Sequence, residues 1–226
     1  MFKEQVKVNS EDSSDTERRV LDAAGEVFAA LGYRAATVRQ ICEKAGANIA
    51  AVNYYYGDKE RLYQAVLRSV PDAQAIKYPS RSGLSSNATA EERLRVYVHS
   101  LLHRVFDAGR PGWHSKIIAR EMIEPTRALD SLLEEVALPL HRELASIVRL
   151  LLGATAKDED VRFCALSIMG QCVYYHHART VLARLYPEQK YHAEDVARLV
   201  EHISEFSLAA LRELAQRRQA QGNETP

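Results

Sequence analysis

Residues 48–60, NIAAVNYYYGDKE, gather hydrogen-bonding side chains where an ordinary core helix would carry leucine. Asn48, Asn53, Tyr54, Tyr55 and Lys59 can all pair with polar atoms, and Ala50 and Ala51 leave the backbone open to close approach. An amide side chain can form a bidentate pair with a base edge, while tyrosine hydroxyls and an ammonium can reach phosphate oxygens. Upstream, Arg34, Thr37 and Arg39 add two cations and a hydroxyl near the start of a short helix, where free backbone N–H groups favour an anion. Together these side chains suit the binding of a polyanion with readable edges.

Catalysis finds less support. The chain lacks the GxxxxGK[ST] phosphate loop, the GxSxG elbow and the HExxH pair, so neither an enzyme nor a cofactor is expected. His99 and His103 are spaced i,i+4, as are Cys172 and His176, which puts each pair on one helical face. A metal-responsive regulator is therefore the alternative, but spacing fixes no third or fourth ligand and no metal site is expected.

Thirty Lys and Arg balance thirty Asp and Glu over 226 residues, so any attraction to a polyanion must come from a local patch. Between residues 15 and 70, eight basic residues face seven acids, four of which precede residue 27. A basic face around residues 34–61 and salt-sensitive binding are expected. Cys42, Cys164 and Cys172 are odd in number and form no CxxC, and no charged-then-apolar leader precedes them, which points to a reduced, cytoplasmic setting. Charges interrupt every apolar stretch before the ~18 residues of a membrane span.

The elements that must position these groups read as helices throughout, with no strand alternation and no fixed repeat, so the fold class is all-α. Residues 1–13 are polar and expected to form a flexible arm. Ser14 with Glu17 is spaced as a capping box for a helix with Val20, Leu21, Ala24, Val27, Phe28 and Leu31 on one face, ended by Gly32. Thr37 with Gln40 opens a second helix, ended by Gly46, and a third follows Asn48 with Val52 and Tyr56 turned inward. Three short-linked helices of this kind form a helix-turn-helix, and the outer face of the third enters the major groove.

A fourth helix is expected from Asp58 to about Ser69, giving a DNA-binding domain over 14–70, a linker over 71–88, a second helical domain over 89–218 and a flexible tail over 219–226. Thr89 with Glu92 caps a helix to about Ala108, and Trp113 to Ile123 forms another. The helical pattern from Thr126 to Leu152 contains Pro139, which predicts a kink or two abutting helices. Two last helices are expected over Asp158 to Leu185 and Ala193 to Arg218.

The segment TERRVLDAAGEVFAALGYRAATVRQICEKAGANIAAVNYYYGDKERLYQAVL resembles the DNA-binding domain of TetR-family transcriptional regulators. The resemblance implies phosphate contacts from Thr37, Tyr54 and Lys59 and base or backbone contacts from Ala50, Ala51, Asn53 and Tyr55. It departs from the family at Asn53, where tyrosine is common, and at Tyr56, where phenylalanine is. The segments WHSKIIAREMIEPTRALDSLL and GQCVYYHHAR resemble the CecR-like subgroup, which implies a small organic effector.

The second half is accordingly expected to hold an effector pocket and a homodimer surface. Phe106, Trp113, Met122 and Tyr174 could form an apolar wall, with Arg120, Glu121 and His177 as polar groups. The last two helices are too apolar for one buried stripe, which suits an intersubunit four-helix bundle. Its expected contacts are Cys164, Ile168, Gln171 and Tyr175 on one helix and Val200, Ile203, Phe206 and Leu211 on the other. The expected whole is a dimeric regulator, a repressor released from a palindromic double-stranded operator by its effector.

Overall fold

Every regular element in the structure, a computed structural model describing residues 2–107 and 111–223, is helical. The first four helices are α1 (Phe2–Ala35), α2 (Val38–Ala45), α3 (Ile49–Tyr56) and α4 (Lys59–Lys77). Next come α5 (Ala90–Phe106), α6 (Trp113–Ile123) and α7 (Ala128–Leu132). A π-helical turn, Leu133–Ala137, leads into α8 (Leu138–Leu152), and the chain ends with α9 (Asp158–His177), α10 (Arg179–Leu185) and α11 (Ala193–Asn223). Pro139 lies in the first turn of α8, where a missing N–H costs nothing. The expected interruption is thus made by a widened turn before the proline.

Two compact units divide the chain: residues 1–73 with 109–136, and residues 74–108 with 137–226. In the first, Val20, Ala24 and Phe28 of α1, Ile41 and Ala45 of α2, Val52 of α3 and Leu62 and Val66 of α4 form one buried cluster. Trp113 and Ile117 of α6 complete it. The fit at Trp113 is close, since a Cβ at Gly25 would stand 2.4–2.5 Å from its indole ring. In the second unit Leu94, Val98 and Leu102 of α5 pack with Leu144 and Val148 of α8, Ala165 and Ile168 of α9 and Ile203 and Leu208 of α11.

Several expected boundaries change. Ser14 caps nothing, because α1 runs helically through it from Phe2; residues 2–13 are its first turns and not an irregular arm. α1 breaks at Gly32 (φ 79°, ψ 164°), as expected, but resumes to Ala35. α4 continues through Lys77, so residues 71–77 are helix where a linker is expected. Ala178 divides the helix expected over 158–185 into α9 and α10, and α11 extends through residues 219–223, where a tail is expected. Met1, 108–110 and 224–226 fall outside the described residues, and with them the ends of the expected arm, α5 and tail.

The largest change concerns α6. It begins and ends where the sequence places it, yet it belongs to the first unit and not to the half expected to hold the effector. A bare glycine surface on α1 and a tryptophan shaped to cover it are complementary, and the hydrophobic period of either helix alone cannot reveal the match.

Candidate nucleic-acid interface

α2 is fixed by a complete capping box. Gln40 N donates to Thr37 Oγ1 (3.2 Å), and Thr37 N donates to Gln40 Oε1 (2.9 Å). Gly46 closes α2 with φ 61° and ψ 36°, a left-handed conformation that a Cβ disfavours, so the chain turns sharply into α3. Asn48 then caps α3 by accepting from Ala51 N (2.9 Å), and its amide serves the turn first.

α3 is held inward by few side chains. Val52 is fully buried; Tyr56 is half-buried and donates from its hydroxyl to Glu17 O (3.2 Å). Burial raises the Tyr56 hydroxyl to about 12, so it stays a donor at any physiological pH. Asn48, Ala50 and Asn53 are exposed, Ala51 is half-buried, and Tyr54 is 80% exposed despite its large ring. Tyr55 is half-buried, its hydroxyl 2.9 Å from Ser13 Oγ and its ring edge-on to Tyr54 at 5.0 Å. Of the two tyrosines expected to face a ligand, Tyr54 is therefore open and Tyr55 is tethered to α1.

Gly57 (φ 81°) breaks the chain after α3, and Asp58 Oδ1 caps α4 by accepting from Arg61 N (2.8 Å). Lys59 Nζ lies 4.7 Å from the Tyr33 ring centroid and donates to Arg34 O (3.4 Å). Burial lowers its pKa; an approaching phosphate would reverse that effect. Thr37, Arg34 and Arg39 are exposed on the same unit, Arg39 paired with Glu43 at 2.9 Å. An exposed pair of this kind is worth at most about 1 kcal/mol and yields readily to phosphate.

The residues of the expected effector wall divide between the two units. Trp113 (6% exposed) is spent in the first unit's core, and Met122 (66% exposed) faces outward there. Arg120 donates to Ala30 O (3.2 Å) beside Gly32. Glu121, 1% exposed, accepts from Tyr63 Oη (2.5 Å), Thr126 N (3.1 Å) and Thr126 Oγ1 (3.3 Å). It is a buried anchor with its acceptors engaged. Tyr174 and His177 are exposed on α9, and Phe106 is half-buried in the second unit, stacked 4.8 Å from Tyr191.

The expected dimer contacts also divide. Ile168, Ile203 and Leu211 are buried inside the second unit's own core, and Tyr175 and Val200 pack against it. Their helical period aims them at neighbours within the monomer. Cys164, Ile168, Gln171, Phe206 and Leu211 border an open apolar groove of about 370 Å³ between α9 and α11. The exposed outer stripe holds the expected Phe206 on α11 together with Phe163, Leu166 and Tyr174 on α9 and Leu214 on α11, of which Phe163, Leu166 and Leu214 are not among the expected site residues. Spacings of three and four residues along α9 carry that signal, but they read equally well as core.

The His99 and His103 rings approach to 4.1 Å, but no group of three His, Cys, Asp or Glu side chains suited to a metal occurs among the described residues. Burial pushes the Cys172 thiol up to about 12, which opposes the thiolate a metal needs.

Residues 20–66 match the model for bacterial regulatory proteins of the TetR family, and residues 90–211 match the C-terminal domain of the HTH-type transcriptional dual regulator CecR. The chain is 27% identical over 176 residues to CecR of Shigella flexneri, covering 74% of this chain and 78% of that protein. It is 26% identical over 139 residues to the regulator BetI of Escherichia coli strain K12, covering 57% and 71%. Among solved structures, a TetR-family regulatory protein from Rhodococcus RHA1 superposes with a TM-score of 0.63 at 20% identity, covering 87% of this chain and 96% of that one. No helix among the described residues is long and apolar enough to cross a membrane. The chain belongs to the TetR family of DNA-binding transcriptional regulators, in the subgroup that carries the CecR-type C-terminal domain.

Proposed function

We propose that the protein acts as a homodimeric repressor that reads a palindromic operator through the outward face of α3 and leaves it when a small organic effector binds the second unit. The observation that carries this reading is the exposure of Asn53 and Tyr54 on a helix seated by the buried Val52. Exposing a tyrosine ring offers a folded monomer little, whereas ring and hydroxyl together suit a duplex groove and its phosphates. Asn53 then pairs with a base edge, Ala50 and Ala51 admit the backbone, and Thr37, Arg34, Arg39 and Lys59 take phosphates.

One such module covers too little duplex for tight binding, and helix-turn-helix proteins commonly act as dimers on half-sites about 34–36 Å apart. The exposed stripe of Phe163, Leu166, Tyr174, Phe206 and Leu214 supports a dimer through α9 and α11. The effector, with Phe106 in its site, must prefer the conformation with misplaced recognition helices, because equal affinity for both shifts nothing. A coupling of about 1–3 kcal/mol weakens operator binding roughly 5- to 150-fold. Selection of bound duplexes from a random pool with the purified protein tests the reading. A palindromic consensus is expected; a pool that stays random contradicts it.

A further inference from the structure

α4 has a cleft on each side, and the two differ in charge. On the Tyr33 and Tyr63 side the border mixes Arg34, Arg120 and Arg127 with Glu60, Glu121 and Glu124. On the α3 side lies an open groove of about 550 Å³ bordered by Asn53, Tyr54 and Tyr55 and, from α4, Arg61, Gln64 and Arg68. No carboxylate borders it among the described residues.

From this asymmetry we infer that the α3–α4 groove is a second binding site for the phosphodiester backbone, filled by Arg61 with support from Arg68, on the strand flanking the base pairs that α3 reads. The inference rests on the operator-binding reading above and extends its footprint from α3 along α4. Three observations carry it. The groove is continuous with the proposed reading surface, since Asn53 and Tyr54 belong to both. Its border holds two guanidinium groups, which suit phosphate oxygens in fixed fork geometry. The guanidinium of Arg61 is available: its side chain is 74% exposed, and its ion pair with Asp58 is loose at 3.8 Å.

Local structure aims these groups. Arg61 folds back toward the start of α4, so that a Cβ at Gly57 would lie 3.3 Å from Arg61 Nη1. Arg68, two turns further along α4, is anchored to Glu135 at 2.8 Å, leaving its remaining N–H donors for a ligand. Lys59 is committed to the Tyr33 side, so the first turn of α4 presents one cation toward each cleft. A backbone crossing the tip of α4 meets both.

The test uses the full-length protein and the operator recovered by selection, in a long duplex and in one trimmed to the consensus. On the long duplex, Arg61→Gln is expected to bind more weakly, with the slope of log affinity against log salt reduced by about 1.8, the loss of one phosphate contact from each protomer of the dimer. Arg61→Lys restores most of that slope. The selected consensus is unchanged, and on the trimmed duplex wild type and Arg61→Gln bind alike. An unchanged slope on the long duplex, a changed consensus, or an equal loss on the trimmed duplex overturns the proposal while leaving operator reading by α3 intact. If no sequence is enriched at all, the operator-binding reading itself fails and the groove proposal fails with it.

Discussion

Tyr63 and Glu121 show what one hydrogen bond does when neither partner reaches water. Both are almost fully buried, and burial together with the Glu121 carboxylate raises the Tyr63 pKa far above its usual value, so the hydroxyl remains the donor. Removing it in Tyr63→Phe leaves Glu121 only the contacts from Thr126 and should destabilise the protein by about 1–3 kcal/mol. Urea unfolding followed by circular dichroism measures this; an unchanged midpoint would contradict the anchoring role. His103 offers a pH-dependent counterpart. Burial and the neighbouring His99 lower its pKa when folded, so the unfolded chain binds its proton more readily. Its contribution is complete above the unfolded value of about 6.5 and is lost as pH falls through the lower folded value. Thermal midpoints should therefore fall as pH drops below about 6.5, and less steeply in His103→Gln; parallel profiles would refute this. At this scale the sequence was informative where local chemistry decides, as in the capping of α2 and α3 by Thr37 and Asn48. It left the partners of Glu121 open, because residue type does not say which way a carboxylate points.

Among the elements, α6 is the most informative. Its ends were legible from Trp113 and Pro125, but its partner was not, because a periodic apolar stripe shows that a helix packs without showing where. Trp113 lies on the bare backbone at Gly25 and is 6% exposed. Trp113→Ala should cost about 3–5 kcal/mol through the cavity it leaves. It should also weaken operator binding although the residue touches no part of the proposed interface, since α1 and α6 together hold the unit that presents α3. Calorimetry and a binding titration on the same preparation test both effects; normal affinity in a destabilised variant would separate α6 from DNA binding. The length of α4 was underestimated for a related reason. Pro71 reads as a stop because it lacks a backbone N–H, yet the helix continues through it to Lys77.

For the whole molecule, the all-α class and the helix-turn-helix were legible because short helices between glycines and caps carry strong local signals. The assignment of helices to units and the outward face of α9 were not, because both depend on contacts distant in sequence. The dimer proposal belongs to this scale. Phe206 is 60% exposed beside the groove between α9 and α11, so Phe206→Glu should leave the monomer folded and shift sedimentation from dimer to monomer. Operator affinity should fall with it; a dimer that persists would place the interface elsewhere.

The central claim, that the outward face of α3 reads a duplex, is tested most directly by titrating the selected operator at fixed salt with wild type and with the double variant Asn53→Ala, Tyr54→Ala. Both side chains are exposed, so the variant should fold normally. Losing even one base contact, worth about 1–3 kcal/mol, predicts a roughly 5- to 150-fold loss of affinity. Undiminished affinity for the same operator would contradict the account.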